Sequence, residues 1–167
     1  MKSIKRKGFT LVELLIVIVV IGILAAMMML SSTEAVSSAR ANNIISNLRN
    51  LKTAATAMYV DRPDSAGAMT DGLVASNATT ATGSFDLVLS YLNTGGNDKT
   101  SYRGYGIKKC NNNEWYVYCE VSDTNVKKKL AARAASVGLC GDTATNTLKS
   151  SDVYVAESHA GMFVVKP

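Results

Sequence analysis

The chain has 167 residues, 47% of them apolar and 19% charged, with a formal net charge of +5. That length accommodates an N-terminal apolar segment and one small globular domain, and not two domains. Lys2, Lys5, Arg6 and Lys7 supply four positives in the first eight residues, while beyond Val60 eleven basic residues face eleven acidic ones. The body of the chain therefore has little electrostatic drive toward nucleic acid or an anionic surface.

In chain order, a basic run ends at Gly8, an apolar helix begins at Phe9, and one carboxylate, Glu13, sits just inside it. From Leu14 to Leu30 nothing is charged. Counted from Phe9 this makes roughly 20 apolar residues, enough to cross a bilayer as a helix. Glu13 then falls inside a membrane segment, where an acidic residue costs up to about 2.5 to 3.5 kcal/mol at the centre and asks for a partner. The positive-inside rule holds Met1 to Lys7 in the cytoplasm and sends the C-terminal part outward. A secretory signal peptide would have an apolar region of only about 7 to 15 residues ending in a small-x-small site. Here the run continues through Ala25, Ala26, Met27, Met28, Met29 and Leu30.

Lys7-Gly8-Phe9-Thr10-Leu11-Val12-Glu13-Leu14, followed by Gly22-Ile23-Leu24-Ala25-Ala26, resembles the class III leader and N-terminal helix of type IV prepilins and their pseudopilin relatives. The resemblance covers about the first 35 residues of the sequence. It implies that a membrane-embedded prepilin peptidase cuts between Gly8 and Phe9 and methylates the new amine of Phe9. It also implies that exported subunits polymerise through their apolar helices. Such a cut leaves a mostly cationic amine on Phe9, because an α-amine has an unperturbed pKa of roughly 8. Glu13 lies about 6 Å from it along the helix axis at 1.5 Å per residue. The resemblance assigns Glu13 the amine of a neighbouring subunit, a pair that attracts strongly in a low-dielectric filament core and is penalised when broken. The chain departs from many pilins in lacking a Pro near Met27 to Leu30, so Gly22 is the only weak point in the membrane half of the helix.

Beyond the membrane segment, Val36, Ala41, Ile44, Ile45, Leu48, Leu51, Ala55, Met58 and Tyr59 recur at spacings of three and four. This predicts an amphipathic continuation of the helix to about Val60, with one stripe packed on a sheet. Asp61-Arg62-Pro63-Asp64 ends it, and the next twenty residues, rich in Ala, Ser, Thr, Gly and Asp, read as a surface loop. Asn77-Ala78-Thr79 fits a glycosylation pattern, with an unmodified polar loop as the simpler reading. Phe85, Val88, Leu89 and Leu92 predict a short helix after a Ser84 cap, stopped by Gly95-Gly96.

Tyr102 to Lys109 and Glu114 to Val121 alternate as a hairpin around Asn111-Asn112-Asn113. Setting Cys110 opposite Glu114 places Cys119 opposite Tyr105. It also puts Tyr105, Ile107, Trp115, Val117, Cys119 and Val121 on one face, toward the core, with Cys110 on the other. Three cysteines, all beyond residue 100, suit one disulfide in an exported head. Cys110 and Cys119 are too far apart along the strands to pair, so Cys119 with Cys140 is expected, with Cys110 and Cys140 as the alternative. Val126 to Val137 reads as a second short helix closed by Gly138. Asp152 to Glu157 and Met162 to Lys166 read as closing strands joined through a turn at Ser158-His159-Ala160-Gly161.

The order of elements predicts an α+β fold, a long N-terminal membrane-spanning and amphipathic helix packed on a small antiparallel sheet head, a layout similar to that of pilins. The expected parts are a leader at 1–8, a polymerisation helix at 9–30, an amphipathic helix at 31–60 and a head at 61–167. No Cys/His cluster has metal-ligand spacing, and no nucleophile and base pair is patterned, so neither cofactor nor enzymatic activity is expected. Asp142-Thr143-Ala144-Thr145-Asn146 lacks the Gly and terminal Glu of a calcium loop.

The reading is a structural subunit of a type IV pilus-like filament serving adhesion, motility or DNA uptake, or else a pseudopilin of a type II secretion or competence system. The expected partners are prepilin peptidase, identical or related subunits, inner-membrane assembly machinery and, before assembly, membrane lipid. Before assembly the chain is expected to be a single-pass cytoplasmic-membrane protein with its head outside the cytoplasm, and afterwards part of an extracellular filament or periplasmic pseudopilus. Lys108, Lys109, Lys127, Lys128 and Lys129 form the sole basic grouping that suggests DNA, and a solvated face explains it more simply.

Overall fold

The computed structural model describes residues 8–61, 70–75, 80–92, 99–109, 114–142, 153–156 and 158–164. The chain divides into two compact units, Met1–Val36 and Ser37–Pro167. Helix α1, Leu11–Asp61, contributes to both. It runs through Gly22 without a break, as expected of a helix interior with no proline.

In the first unit every residue from Phe9 to Met29 is exposed. Its apolar side chains, from Phe9 through Leu24 to Met29, are therefore about half to nine-tenths exposed. The helix is long and apolar enough to cross a membrane.

The second unit is built on the later part of α1. Ala41, Ile45, Leu48, Leu51, Ala54, Ala55 and Met58 are buried there in the main core, which is the stripe that the three-and-four spacing predicts. Val36 stays exposed, and Ile44 and Tyr59 are half-buried. The other elements of the unit are β1 (Gly72–Leu73), α2 (Phe85–Ser90), β2 (Tyr105–Lys109), β3 (Trp115–Glu120), α3 (Thr124–Ala131), α4 (Ala134–Val137), β4 (Cys140–Asp142) and β5 (His159–Phe163), and residues of α2, β2, β3, α3, α4 and β5 join the stripe in the main core. A short 3₁₀ turn covers Lys99–Tyr102. Among the described residues the sheet has five strands in the order β1-β2-β3-β5-β4, every neighbouring pair antiparallel. The fold is α+β and pilin-like.

The hairpin register agrees with the sequence. Tyr105 pairs with Cys119, Ile107 with Val117 and Lys109 with Trp115. Tyr105, Ile107, Trp115, Val117, Cys119 and Val121 all join the main core, because one buried face fixes a register that a one-residue slip would invert. The opposite face is not simply polar. Tyr116 and Cys140 are buried there, with Tyr118 and Phe163 packed against them, and the rings of Tyr116 and Phe163 lie 5.9 Å apart.

Several expectations are corrected. Residues 72–73 are a strand and not loop, since Leu73 pairs with Gly106 and the neighbouring Val74 is fully buried. Ser84 precedes α2 but makes no side-chain cap; its hydroxyl accepts the Thr70 N–H at 2.8 Å instead. The expected helix over Val126 to Val137 is two helices, and Asp123 caps the first by accepting from the N–H groups of Asn125 and Val126. Gly138 closes the second, as expected, with φ 73°. Cys140–Asp142 is a strand that the pattern did not predict. Gly95-Gly96, Asn111-Asn112-Asn113 and Asn77-Ala78-Thr79 lie outside the described residues.

The closing strand is shifted. His159 to Phe163 form β5, so the predicted turn is strand, while Val153 makes only an isolated bridge to Cys140. Gly161 reads as a turn residue in sequence, yet here it allows close approach. A Cβ on it would meet the Val117 carbonyl at 2.7 Å and the Tyr116 ring at 3.1 Å. Gly106 has the same role on the other side of Tyr118, whose ring would lie 2.8 Å from an added Cβ. Glycine inside a strand often marks such an approach. Gly161→Ala should therefore destabilise the head by about 1 to 3 kcal/mol, read as a lower thermal midpoint of the full chain in detergent. An unchanged midpoint would show that the Val117 main chain and the Tyr116 ring give way freely.

Candidate functional site

The chemistry of the first unit is concentrated in Gly8 to Glu13. Gly8, Phe9 and Thr10 are not helical, and α1 begins at Leu11. The reason is local. The Thr10 N–H donates to Glu13 Oε2 at 2.8 Å, and the Thr10 hydroxyl donates to the same oxygen at 2.8 Å. In return Thr10 Oγ1 accepts from the Glu13 N–H at 3.2 Å. The Leu14 N–H donates to the Thr10 carbonyl at 3.2 Å, the first full helical bond.

This is a capping box, with Thr at the N-cap and Glu three residues on, each side chain satisfying a main-chain N–H of the other. The acid that asked for a partner has one within its own chain. A Thr-x-x-Glu spacing directly before an apolar run is the sequence signal for it, and the sequence reading passed over Thr10. The carboxylate also lies in the first turn, where the helix macrodipole favours negative charge. Gly8 and Phe9 sit outside the helix, and Phe9 is 87% exposed, so the peptide bond between them lies in non-helical chain. Met1 to Lys7 lie outside the described residues.

Residues 4–29 match the family model of the prokaryotic N-terminal methylation motif. This stretch is similar to a class III prepilin leader with its helix. The match spans Gly8, Phe9, Thr10 and Glu13 together, and it supports the type IV pilin and pseudopilin family. The prepilin motif and the apolar helix fit a membrane-anchored pilin-type precursor. No curated protein and no solved structure matches the chain.

The remaining candidates in the head do not assemble into a site. Among the described residues no group of three or more His, Cys, Asp and Glu could hold a metal. His159, expected in a turn, lies on β5 opposite Glu120. Its Nε2 is 3.7 Å from Glu120 Oε1, and its ring meets the edge of Tyr118 at 5.4 Å. Lys108 and Lys109 are on β2 and Lys127, Lys128 and Lys129 on α3, two elements that do not pair in the sheet.

The cysteines overturn the expected pairing. Cys119 and Cys140 are both buried and are not joined to each other. Cys119 lies on β3 opposite Ala160, and Cys140 on β4 opposite Gly161, with β5 between them. Two strand spacings amount to about 10 Å, beyond the reach of a disulfide. They also point to opposite faces, Cys119 into the main core and Cys140 into the Tyr116 cluster. The Cys119 thiol donates to the Glu120 carbonyl at 3.3 Å, and that of Cys140 to the Gly161 carbonyl at 3.1 Å. Cys110, the alternative partner, lies outside the described residues.

Burial pushes the Cys119 thiol up to about 12, opposed by its hydrogen bond to Tyr105 and assisted by the nearby Glu120 charge. Tyr105 is raised as well, chiefly by burial, although Asn47 Nδ2 donates to its hydroxyl at 3.2 Å. Both groups are neutral acids in the fold that ionise more readily once unfolded. The unfolded thiol loses its proton near its ordinary 9.0, so stability holds below that pH and declines as pH rises toward 12. Alkylation at neutral pH should leave Cys119 unmodified in the folded full chain and modify it after denaturation. A peptide in which Cys119 is linked to Cys140, found in a non-reduced digest, would contradict the structure.

Proposed function

We propose that this chain is the precursor of a structural filament subunit of the type IV pilus kind. The observation that carries the reading is the prepilin motif joined directly to an apolar helix that its own chain leaves uncovered. In this reading residues 1–8 are a leader, and prepilin peptidase cuts between Gly8 and Phe9 and methylates the Phe9 amine. Residues 9–30 then hold the subunit in the cytoplasmic membrane and later in the filament, 31–60 form the spine of the head, and 61–167 complete the head. Proteins of this family are generally structural subunits, and no catalytic role is proposed.

Glu13 has two tasks in sequence. While the precursor waits in lipid, Thr10 supplies its hydrogen bonds. In the filament it accepts the cationic amine of a neighbouring Phe9, and in a dry core that pair discriminates strongly against subunits out of register. A carboxylate has about four acceptor positions, of which Thr10 takes two, so the second task does not require the first to be abandoned.

The pseudopilin reading shares the leader, the cut and the assembly helix.

Glu13→Val should leave cleavage intact, seen as the shift from precursor to mature size, while the yield of sheared filament falls by at least about tenfold, equivalent to about 1.4 kcal/mol. A normal filament yield from this variant would defeat the pairing.

A further inference from the structure

Thr10 and Glu13 are joined by three hydrogen bonds, two of which converge on one carboxylate oxygen, Oε2. A solvent-facing Glu ordinarily keeps much of its rotamer freedom, and a partner that binds it must first remove that freedom. Here the main-chain N–H fixes where Oε2 sits, and the hydroxyl adds a second tether. The carboxylate is thus already ordered in the isolated subunit, with acceptor capacity left at Oε1.

We propose that Thr10 is a positioning residue for assembly, holding the Glu13 carboxylate so that the processed amine of a second copy of this chain meets an acceptor already in place. This rests on the reading that Glu13 pairs with a Phe9 amine in the filament. Thr10 does not touch that amine in this proposal; it acts through Glu13. The same contacts supply hydrogen bonds to the acid while it lies in lipid, where an unsatisfied carboxylate is penalised.

The two roles of Thr10, starting the helix and ordering the carboxylate, separate by substitution. Thr10→Ser keeps the hydroxyl and both roles. Thr10→Gly keeps a serviceable N-cap, because glycine there weakens a helix only slightly relative to Thr, and it keeps the main-chain N–H but loses the hydroxyl. The full chain carrying each change, expressed with its own peptidase and assembly machinery, is assayed for cleavage, for helicity by circular dichroism in detergent, and for sheared filament yield. Both variants should be cleaved and equally helical. Thr10→Ser should assemble like the parent, and Thr10→Gly should lose about tenfold in yield. Parental yield from Thr10→Gly, beside a failing Glu13→Val, would overturn the positioning role and leave the pairing of Glu13 standing. Parental yield from Glu13→Val as well would remove the pairing of Glu13 with the Phe9 amine on which the positioning role rests.

Discussion

A helix segment that is apolar on every side and exposed along its length must be covered by something else. That constraint governs the first unit, where Phe9 to Met29 are all exposed. Burial is worth about 25 cal/mol per Å² of apolar surface, so leaving this surface in water is costly. In the proposed function, lipid covers it in the precursor and other copies of the same helix cover it in the filament. A monomeric soluble protein rarely exposes an apolar surface of this extent.

The carboxylate of Glu13 is the one polar feature that has to be reconciled with that surface. The capping box does so locally, by giving the acid a main-chain and a hydroxyl donor within four residues. The same device sets the start of α1 at Leu11 and leaves Gly8 and Phe9 in non-helical chain. One small motif therefore links helix initiation, the cost of an acid in a membrane segment and the exposure of the bond that a peptidase would cut.

Much of this was legible in the sequence because it depends on short-range regularity. The helix and its buried stripe follow from period 3.6, and the pairing of Tyr105 with Cys119 follows from period 2 and one hairpin turn. What was missed depends on long-range placement. Gly161 looks like a turn residue until the Val117 carbonyl and the Tyr116 ring are seen lying against it. The Cys119 and Cys140 pairing failed because nothing local reveals that β5 inserts between their strands. Thr10 is a different case, since the Thr-x-x-Glu spacing is local and by itself marks a capping box. The head, with its two buried thiols and its aromatic second face, is held together by packing and carries no assembled set of chemical groups among the described residues.

The central claim is that this chain is processed at its leader, and the N-terminus of the mature protein tests it most directly. Mass spectrometry of the N-terminal peptide from the membrane or sheared-filament fraction should find a chain that begins at Phe9 and is one methyl group heavier than the sequence alone. A chain that still begins at Met1 in the presence of its peptidase, or one cut within Ala25 to Leu30, would contradict the account.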